Sequence, residues 1–161
     1  MTEPLKHVTI YTDGACLGNP GPGGYAAVLL YEGKRKELSG GFRRTTNNRM
    51  ELYAAIEGLR ALRERCRVTL HTDSRYLADA VEKGWARKWR ENGWTRNKKD
   101  HAQNPDLWSG LLDLLDRHDV RFVWVAGHAG VPENERCDRL SSEAAKRGDL
   151  PADEMYEREN A

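Results

Sequence analysis

The residues His7–Cys16, HVTIYTDGAC, combine a strand pattern with an acidic residue near the end. The predicted topology of the later elements is built around this strand. Their β-branched and aromatic side chains suit a pleated, partly buried strand, and Gly14 ends or bends it. Asp13 therefore lies at or near the carboxyl end of the strand, where ligands usually bind in open α/β sheets. A single Asp at such a place also caps turns, so its meaning depends on whether other carboxylates reach the same edge.

Length and composition indicate one soluble globular domain. The chain has 161 residues, of which 32% are charged and 39% apolar. It contains neither an apolar run of the roughly 18 residues that a membrane span needs nor the apolar segment of a signal peptide at its start. Three widely spaced cysteines form no zinc or disulfide pattern. We expect reduced thiols, a cytoplasmic protein without membrane contact, and a monomer.

Three strands in succession are predicted at the start of the chain. Leu17–Gly24 is so rich in Gly and Pro that it predicts a turn, either a plain hairpin connection or a bare backbone that a ligand approaches closely. Tyr25–Tyr31 and Arg35–Phe42 follow as strands with a short link between them. The three strands should form an antiparallel meander.

A helix and a parallel strand follow the meander. N-cap residues at Thr45–Asn48 and apolar residues at helical spacing predict a helix that carries Glu51 in its first turns. The helix dipole alone also favours a Glu there. Val68–Thr72 is a short strand that ends at Asp73. Strand, helix and strand imply a right-handed parallel connection, which brings Asp13 and Asp73 to the same edge of the sheet.

The middle of the chain is basic and aromatic. Between Gly84 and Asn104, six Lys or Arg residues stand against two acids, and three of the chain's five tryptophans are interleaved with them. Such a segment either packs on its own indoles as a small helical excursion or binds nucleic acid, since cations meet phosphates and aromatic rings stack on bases. The composition favours neither alternative over the other.

The last third of the chain predicts a helix at Pro105–Leu115, a strand at Val120–Ala126, a glycine-flanked loop with His128, and a final helix with Asp138 near its start. Asp138 is again explicable by the helix dipole. Residues 148–161 are acidic and poor in apolar side chains, so we expect a disordered tail after a single catalytic domain of residues 1–147.

Four carboxylates, Asp13, Glu51, Asp73 and Asp138, therefore converge on one end of a sheet. Unpaired, they would repel each other strongly at low dielectric. Hard divalent cations relieve that repulsion, and a set of few protein ligands suits Mg²⁺, which keeps waters and takes phosphate oxygens from a substrate. Two such ions can activate a water and stabilise the leaving oxygen of a phosphoryl displacement. Beside a basic segment, the cluster indicates a metal-dependent nuclease.

The chain closely resembles bacterial ribonuclease H type 1. The matching sequences run in the family's order and spacing over nearly the whole chain: YTDGACLGNPGPGGYA, TTNNRMEL, TDSRY, the Trp-rich basic segment, NPDLW and VAGHAGVPENERCD. The resemblance implies an α/β fold with a five-stranded mixed sheet, an antiparallel meander plus parallel strands, flanked by helices. It also implies an endonuclease that hydrolyses the RNA strand of RNA/DNA hybrids and leaves 5′-phosphate and 3′-hydroxyl ends.

The resemblance also assigns roles to residues. It implies metal binding by the four acids, with two Mg²⁺ ions in the presence of substrate and Mn²⁺ as a possible substitute. His128 would help proton transfer or product release. The positions implied to contact the hybrid are Cys16, Asn19, Thr46, Asn47, Asn48, Arg75, Trp85, Arg87, Lys88, Trp89, Arg90, Trp94 and Asn104.

Two departures from the family pattern bear on substrate binding. Arg75 stands where many relatives carry an uncharged amide and would add a phosphate contact, and Glu91 lowers the charge of the basic segment. Two alternatives to an active ribonuclease H stay open at this point. One is a non-catalytic hybrid-binding module on the same fold, which the presence of all four acids disfavours. The other is a related nuclease acting on DNA junctions, which the near full-length match disfavours.

Overall fold

The computed structural model describes residues 4–95, 101–127 and 130–160. Over these ranges the chain forms five strands and six helices, in the order β1 Lys6–Cys16, β2 Gly21–Tyr31, β3 Lys34–Thr45, α1 Asn47–Arg60, β4 Cys66–Thr72, α2 Arg75–Glu82, α3 Trp85–Glu91, α4 Pro105–Arg117, β5 Asp119–Trp124, α5 Pro132–Ala145 and α6 Glu154–Glu159. No helix within them combines the length and the apolar character that a membrane crossing requires.

The strands form one mixed sheet in the order β3-β2-β1-β4-β5. The pairs β1–β2 and β2–β3 are antiparallel, whereas β1–β4 and β4–β5 are parallel. The predicted meander followed by parallel strands is therefore confirmed. β1 lies at the centre of the sheet, so every other strand is placed directly or through one neighbour against the stretch that carries Asp13.

The glycine-rich segment differs from its prediction. Only residues 17–20 form the turn, and β2 already begins at Gly21. Glycine is required there because α5 packs directly on the strand: a methyl group at Gly24 would lie 2.0 Å from the carbonyl oxygen of Ser141. The prediction of a turn through Gly24 is wrong. The local content of Gly and Pro carries no information about this tertiary contact.

Helices cover both faces of the sheet. On one face Ile10 and Leu70 pack in a large apolar core with Leu59 of α1 and Trp108 of α4. On the other face the buried thiol-bearing residue Cys137 of α5 packs in a smaller cluster against β2. The Cys137 Sγ donates to the carbonyl oxygen of Tyr11 at 3.2 Å, which fixes α5 beside β1.

The acidic tail is ordered where the structure describes it. The Arg43 N–H donates to the Pro151 carbonyl oxygen at 2.8 Å, and α6 follows. Asp153 is fully buried and accepts hydrogen bonds from Arg49 and from the Thr45 hydroxyl. Contrary to the prediction from composition, residues 148–160 are therefore not a disordered tail. A buried guanidinium requires a carboxylate partner, and the tail supplies one.

Gly14 lets the start of α1 lie directly on β1. A methyl group at this position would lie 2.6 Å from both the Glu51 backbone nitrogen and the Met50 carbonyl carbon. Thr46 fixes where the helix begins, since its hydroxyl accepts from the Arg49 N–H at 3.3 Å as the N-cap. The close approach and the cap together deliver Glu51 to the edge where Asp13 stands.

We expect Gly14→Ala to lower the free energy of unfolding by about 1–3 kcal/mol, because backbone atoms cannot yield to the added methyl. Gly110→Ala within α4 is the matched control, since a methyl there meets no described atom within 4 Å. It should raise stability by roughly 0.5–1 kcal/mol through helix propensity. Urea unfolding of both variants measures the difference, and equal effects would contradict the proposed close contact.

Candidate active site

Three carboxylates from three elements meet at one edge of the sheet. Asp13 stands in β1, Glu51 in the first turns of α1, and Asp73 directly after β4, and each offers an oxygen within 4.8 Å of the other two. The parallel register explains the pairing, because Thr12 is opposite Thr72 and the next residues on the two strands are the two aspartates. The structure thus brings together three of the four predicted acids.

The environment of this cluster disfavours negative charge. Asp13 is 3% exposed, and burial, reinforced by the nearby charge of Asp73, raises the pKa of Asp13 to about 8. Glu51 is 6% exposed, and burial, with the charges of Asp13 and Asp73 added, raises its pKa well above the usual range. Without a cation, protonation of these two carboxyl groups lowers the repulsion within the cluster.

One oxygen of the cluster lacks a partner. Glu51 Oε2 is buried, and among the described residues it has no hydrogen-bond partner, although buried carboxylate oxygens are normally satisfied. An oxygen-only donor set with an unsatisfied oxygen fits a hard divalent cation such as Mg²⁺. Asp13, Glu51 and Asp73 are the residues that would hold it.

The other two predicted catalytic residues, Asp138 and His128, are not among the three clustered carboxylates. Asp138 is half-buried on α5, and its charge contributes to the raised pKa of Asp13. It is not part of the group of three within 4.8 Å, so it stands beside the cluster rather than in it. His128 lies outside the described residues, and its role stays a prediction.

Trp124 holds the loop after β4 and was missed in the sequence. Its indole N–H donates to the Asp73 carbonyl oxygen at 3.1 Å. The guanidinium of Arg75 lies over the same indole, 4.5 Å from the ring centroid. Arg75 is thereby held next to the acid cluster, where a cation would meet a substrate phosphate.

Polar residues predicted to contact the hybrid line a second site. Asn19, Thr46, Asn48 and Asn104 border one cavity of about 500 Å³ between the starts of α1 and α4. The N–H of Asn47 donates to Asn19 Oδ1 at 3.1 Å and fixes that side chain at the rim.

Cys16, another predicted contact, is half-buried near the start of β2. Its thiol donates to the carbonyl oxygens of Gly21 and Thr45, each at 3.5 Å. It therefore ties together the strand ends next to the glycine turn. Its contact with the hybrid stays a prediction.

The tryptophans of the basic segment divide between core and surface. Trp89 is 7% exposed and packs edge-on against Trp108, with ring centroids 5.6 Å apart. Trp94 packs partly buried against the same core, whereas Trp85 is exposed. The ring of Trp89 therefore belongs to the core, and its contact with the hybrid stays a prediction.

The basic residues of α3 are partly neutralised by α4. Arg87 pairs with Asp116 at 2.9 Å and Arg90 pairs with Asp113 at 3.2 Å. Lys88 is exposed and makes no ion pair with any described residue. Of these three predicted phosphate contacts, Lys88 presents its charge most freely.

The largest feature absent from the sequence reasoning is a buried ion network centred on Arg49. Its side chain is 1% exposed and pairs with Asp106 at 2.8 Å and with Asp153 at 2.7 Å. An Arg in the first turn of an amphipathic helix looks solvent-exposed in the sequence. No local pattern signals that its partners lie 57 and 104 residues away.

Comparisons with known proteins agree with this architecture. The RNase H family profile matches residues 5–146. The ribonuclease H of Rippkaea orientalis is 64% identical over 157 residues, which cover 98% of this chain and 96% of that protein. The ribonuclease H of Desulforamulus reducens is 66% identical over 149 residues, which cover 92% of this chain and 94% of that protein.

Solved structures show the same fold. LC9-RNase H1, a type 1 RNase H with the type 2 active-site motif, has a TM-score of 0.79 at 34% identity, over 90% of this chain and 74% of that one. LC11-RNase H1, solved with an RNA/DNA hybrid, has a TM-score of 0.66 at 24% identity, over 86% of this chain and 96% of that one. The central sheet, the acid cluster and these relatives define an RNase H-type nuclease. The chain belongs to the RNase H family.

The raised pKa of Asp13 predicts how the metal-free protein responds to pH. The unfolded carboxyl releases its proton near pH 4, whereas the folded one retains it to about pH 8. Between these values the folded state binds more protons, so stability should fall as pH rises. In EDTA, Asp13→Asn should unfold several degrees above the wild type at pH 8, and the difference should shrink towards pH 4.

Thermal unfolding across this pH range tests the expectation. Asp119→Asn, at the opposite end of the sheet, is the matched control and should follow the wild type. Addition of Mg²⁺ at pH 8 should raise the Tm of the wild type and of the control but not of Asp13→Asn. A pH-independent gap between Asp13→Asn and wild type would refute the buried-charge explanation.

Proposed function

We propose that this chain hydrolyses the RNA strand of RNA/DNA hybrids by attack of water, assisted by Mg²⁺ held at Asp13, Glu51 and Asp73. The observation that carries the proposal is the cluster of three carboxylates, in which Asp13 and Glu51 are buried and Glu51 has an unsatisfied oxygen. Bound metal supplies activation of the attacking water and neutralisation of charge on the phosphoryl group. The relatives named ribonuclease H, identical at 64–66% of positions, support the same reaction.

The side chains of this protein have separate roles in the rest of the reaction. Asp13 and Glu51 are fixed by β1 and α1, so their oxygens are oriented before substrate arrives. Asp138 stands on α5 beside them and completes the acidic set. Arg75, held on Trp124, meets a phosphate of the strand that enters the cluster. We assign His128 to proton transfer or product release, as the family resemblance implies.

Choice between strands follows from the separation of the two sites. The RNA strand lies at the acid cluster, where the backbone of Gly14–Cys16 can approach the 2′-hydroxyl that distinguishes RNA from DNA. The DNA strand is held away from it, by the cavity at Thr46 and Asn104 and by Lys88. The DNA is thus gripped but not cut.

Cellular context is also part of the proposal. The described cysteines Cys16, Cys66 and Cys137 are unpaired thiols, which suits a reducing cytoplasm. We propose that the protein acts there as a monomer, since each chain carries both a complete acid cluster and a hybrid-binding surface. Mg²⁺ is the proposed ion, and Mn²⁺ shares its preference for oxygen ligands.

Analysis of cleavage products tests the reaction. A labelled hybrid should yield RNA pieces with 5′-phosphate and 3′-hydroxyl ends, because attack by water does not use the 2′-hydroxyl. Asp13→Asn should reduce turnover to background, whereas Asp119→Asn should retain it. Cyclic phosphate ends, equal cutting of duplex DNA, or undiminished turnover by Asp13→Asn would each contradict the proposal.

Salt dependence tests the contact on α3. Lys88→Gln should lower the slope of log affinity against log salt by roughly 0.9, the value for one phosphate contact on a duplex. Lys34→Gln, at the exposed first residue of β3, is the charge-matched control and should leave the slope unchanged. Arg87→Gln should have a smaller effect than Lys88→Gln, because Asp116 already neutralises that guanidinium. Equal slopes for Lys88→Gln and Lys34→Gln would rule out a phosphate contact on α3.

A further inference from the structure

Arg49 uses all of its hydrogen-bonding capacity inside the protein. Its Nε and Nη2 donate to Asp153 at 2.7 and 2.9 Å, and its Nη1 and Nη2 donate to Asp106 at 3.0 and 2.8 Å. The remaining donor on Nη1 reaches Asn104 Oδ1 at 3.2 Å. A guanidinium has five N–H donors and no acceptor, so none is left for a substrate phosphate.

The same residue contacts two of the proposed phosphate ligands. Its backbone N–H donates to the Thr46 hydroxyl oxygen at 3.3 Å, and its guanidinium donates to Asn104 Oδ1. Asn104 adopts the left-handed conformation with φ 58° at the start of α4, and its side chain makes no capping bond there. Arg49 therefore determines where both side chains stand at the rim of the cavity.

These contacts leave donors available for an anion. Because Arg49 carries only donors, the Asn104 atom that faces it is the amide oxygen, and the Nδ2 group remains to donate. The side-chain amide of Asn19 is oriented in the same way. Its Oδ1 accepts a hydrogen bond from a backbone N–H, and its Nδ2 group remains available to donate. The Thr46 oxygen accepts from Arg49, so its O–H is free to donate elsewhere.

The cavity offers no positive charge to a ligand. None of the described residues that line it is Lys or Arg, and Glu159 contributes a carboxylate to the wall. The charge of Arg49 behind it is more than balanced by Asp106 and Asp153. A phosphate here is held by neutral donors, whose hydrogen bonds weaken steeply with poor geometry. The exact positions of the donor groups therefore matter more for binding at this site than at a cationic one.

The carboxyl-terminal segment forms part of the same cavity. Tyr156, Glu159 and Asn160 line it together with residues at the starts of α1 and α4. Asp153, just before α6, is the residue through which this segment reaches Arg49. The tail thus contributes both a wall of the cavity and the carboxylate that orients the guanidinium.

We propose that Arg49 and Asp153 are positioning residues for a phosphate of the DNA strand, and that the cavity wall formed by Tyr156, Glu159 and Asn160 is a working part of the substrate site. They act through Thr46 and Asn104 and touch neither the scissile bond nor the metal. This inference rests on the proposed function, since it assigns the phosphate to the uncut strand of the hybrid.

A coupling experiment tests the proposal. The substrate is a short hybrid whose RNA strand carries only a few central ribonucleotides, so that cleavage occurs in one register. Single neutral methylphosphonate linkages are then placed at successive positions of its DNA strand. In the wild type, one position should raise KM by about three- to tenfold, the value of one hydrogen-bonded contact, with kcat unchanged.

Asp153→Asn should itself raise KM by a similar factor without changing kcat. In this variant the methylphosphonate at the sensitive position should cause no further rise, because the contact is already lost. Glu157→Gln is the matched control on the same helix: it breaks the exposed tail pair with Arg43, away from the cavity, and should behave as the wild type. All assays run well below the measured Tm of each variant.

Asp106→Asn keeps the tail intact and loosens the same guanidinium from the α4 side. It replaces Asp153→Asn if that variant does not fold, and the same loss of coupling is expected. An undiminished methylphosphonate penalty in the folded variant would overturn the positioning role, as would a fall in kcat with unchanged KM. Absence of hybrid cleavage by the wild type would instead refute the proposed function itself.

Discussion

Repulsion among three clustered carboxylates, two of them buried, is the constraint on which the rest of the structure depends. Asp13, Glu51 and Asp73 stand within 4.8 Å of one another in a site that raises the pKa of the first two. Such a cluster of like charges does not itself stabilise the folded state. It persists because backbone contacts that do not involve the charges over-determine it: the β1–β4 register and the close approach of α1 to Gly14. The fold holds the acids together until a cation relieves the repulsion.

Local sequence patterns predicted this centre because each acid is placed by a local rule. Asp73 ends a short β-branched strand, Glu51 follows an N-cap at helical spacing, and parallel pairing brings Asp13 level with Asp73. The features that local patterns did not predict share one cause, which is contact between distant segments. Gly24 lies in a strand because α5 packs on it, and Trp89 is buried because α4 provides Trp108. Neither contact has a signal within a short window of sequence.

Under the proposed function, the acid cluster and the amide-lined cavity recognise phosphate by opposite physics. At the cluster, concentrated negative charge demands a cation and accepts phosphate oxygens only through it. At the cavity, the donors are neutral hydroxyl and amide groups. The buried ion pair of Arg49 and Asp106 behind Asn104 keeps these donors in place. The net charge of the chain is only +1, and α4 neutralises much of α3. Long-range attraction is therefore weak, and geometry carries a larger share of the proposed specificity.

Both centres depend on the first two turns of α1. Thr46 faces the cavity, Arg49 orients Asn104, and Glu51 reaches the acid cluster, all within six residues of one helix. A helix with its first turn capped and its side packed on β1 does not stretch, so the distance between the two proposed phosphate sites is fixed. A duplex engages both only if its two backbones are spaced to match. Under the proposed contacts, this rigid spacing selects the shape of the duplex, while the 2′-hydroxyl at the cluster identifies which strand is RNA.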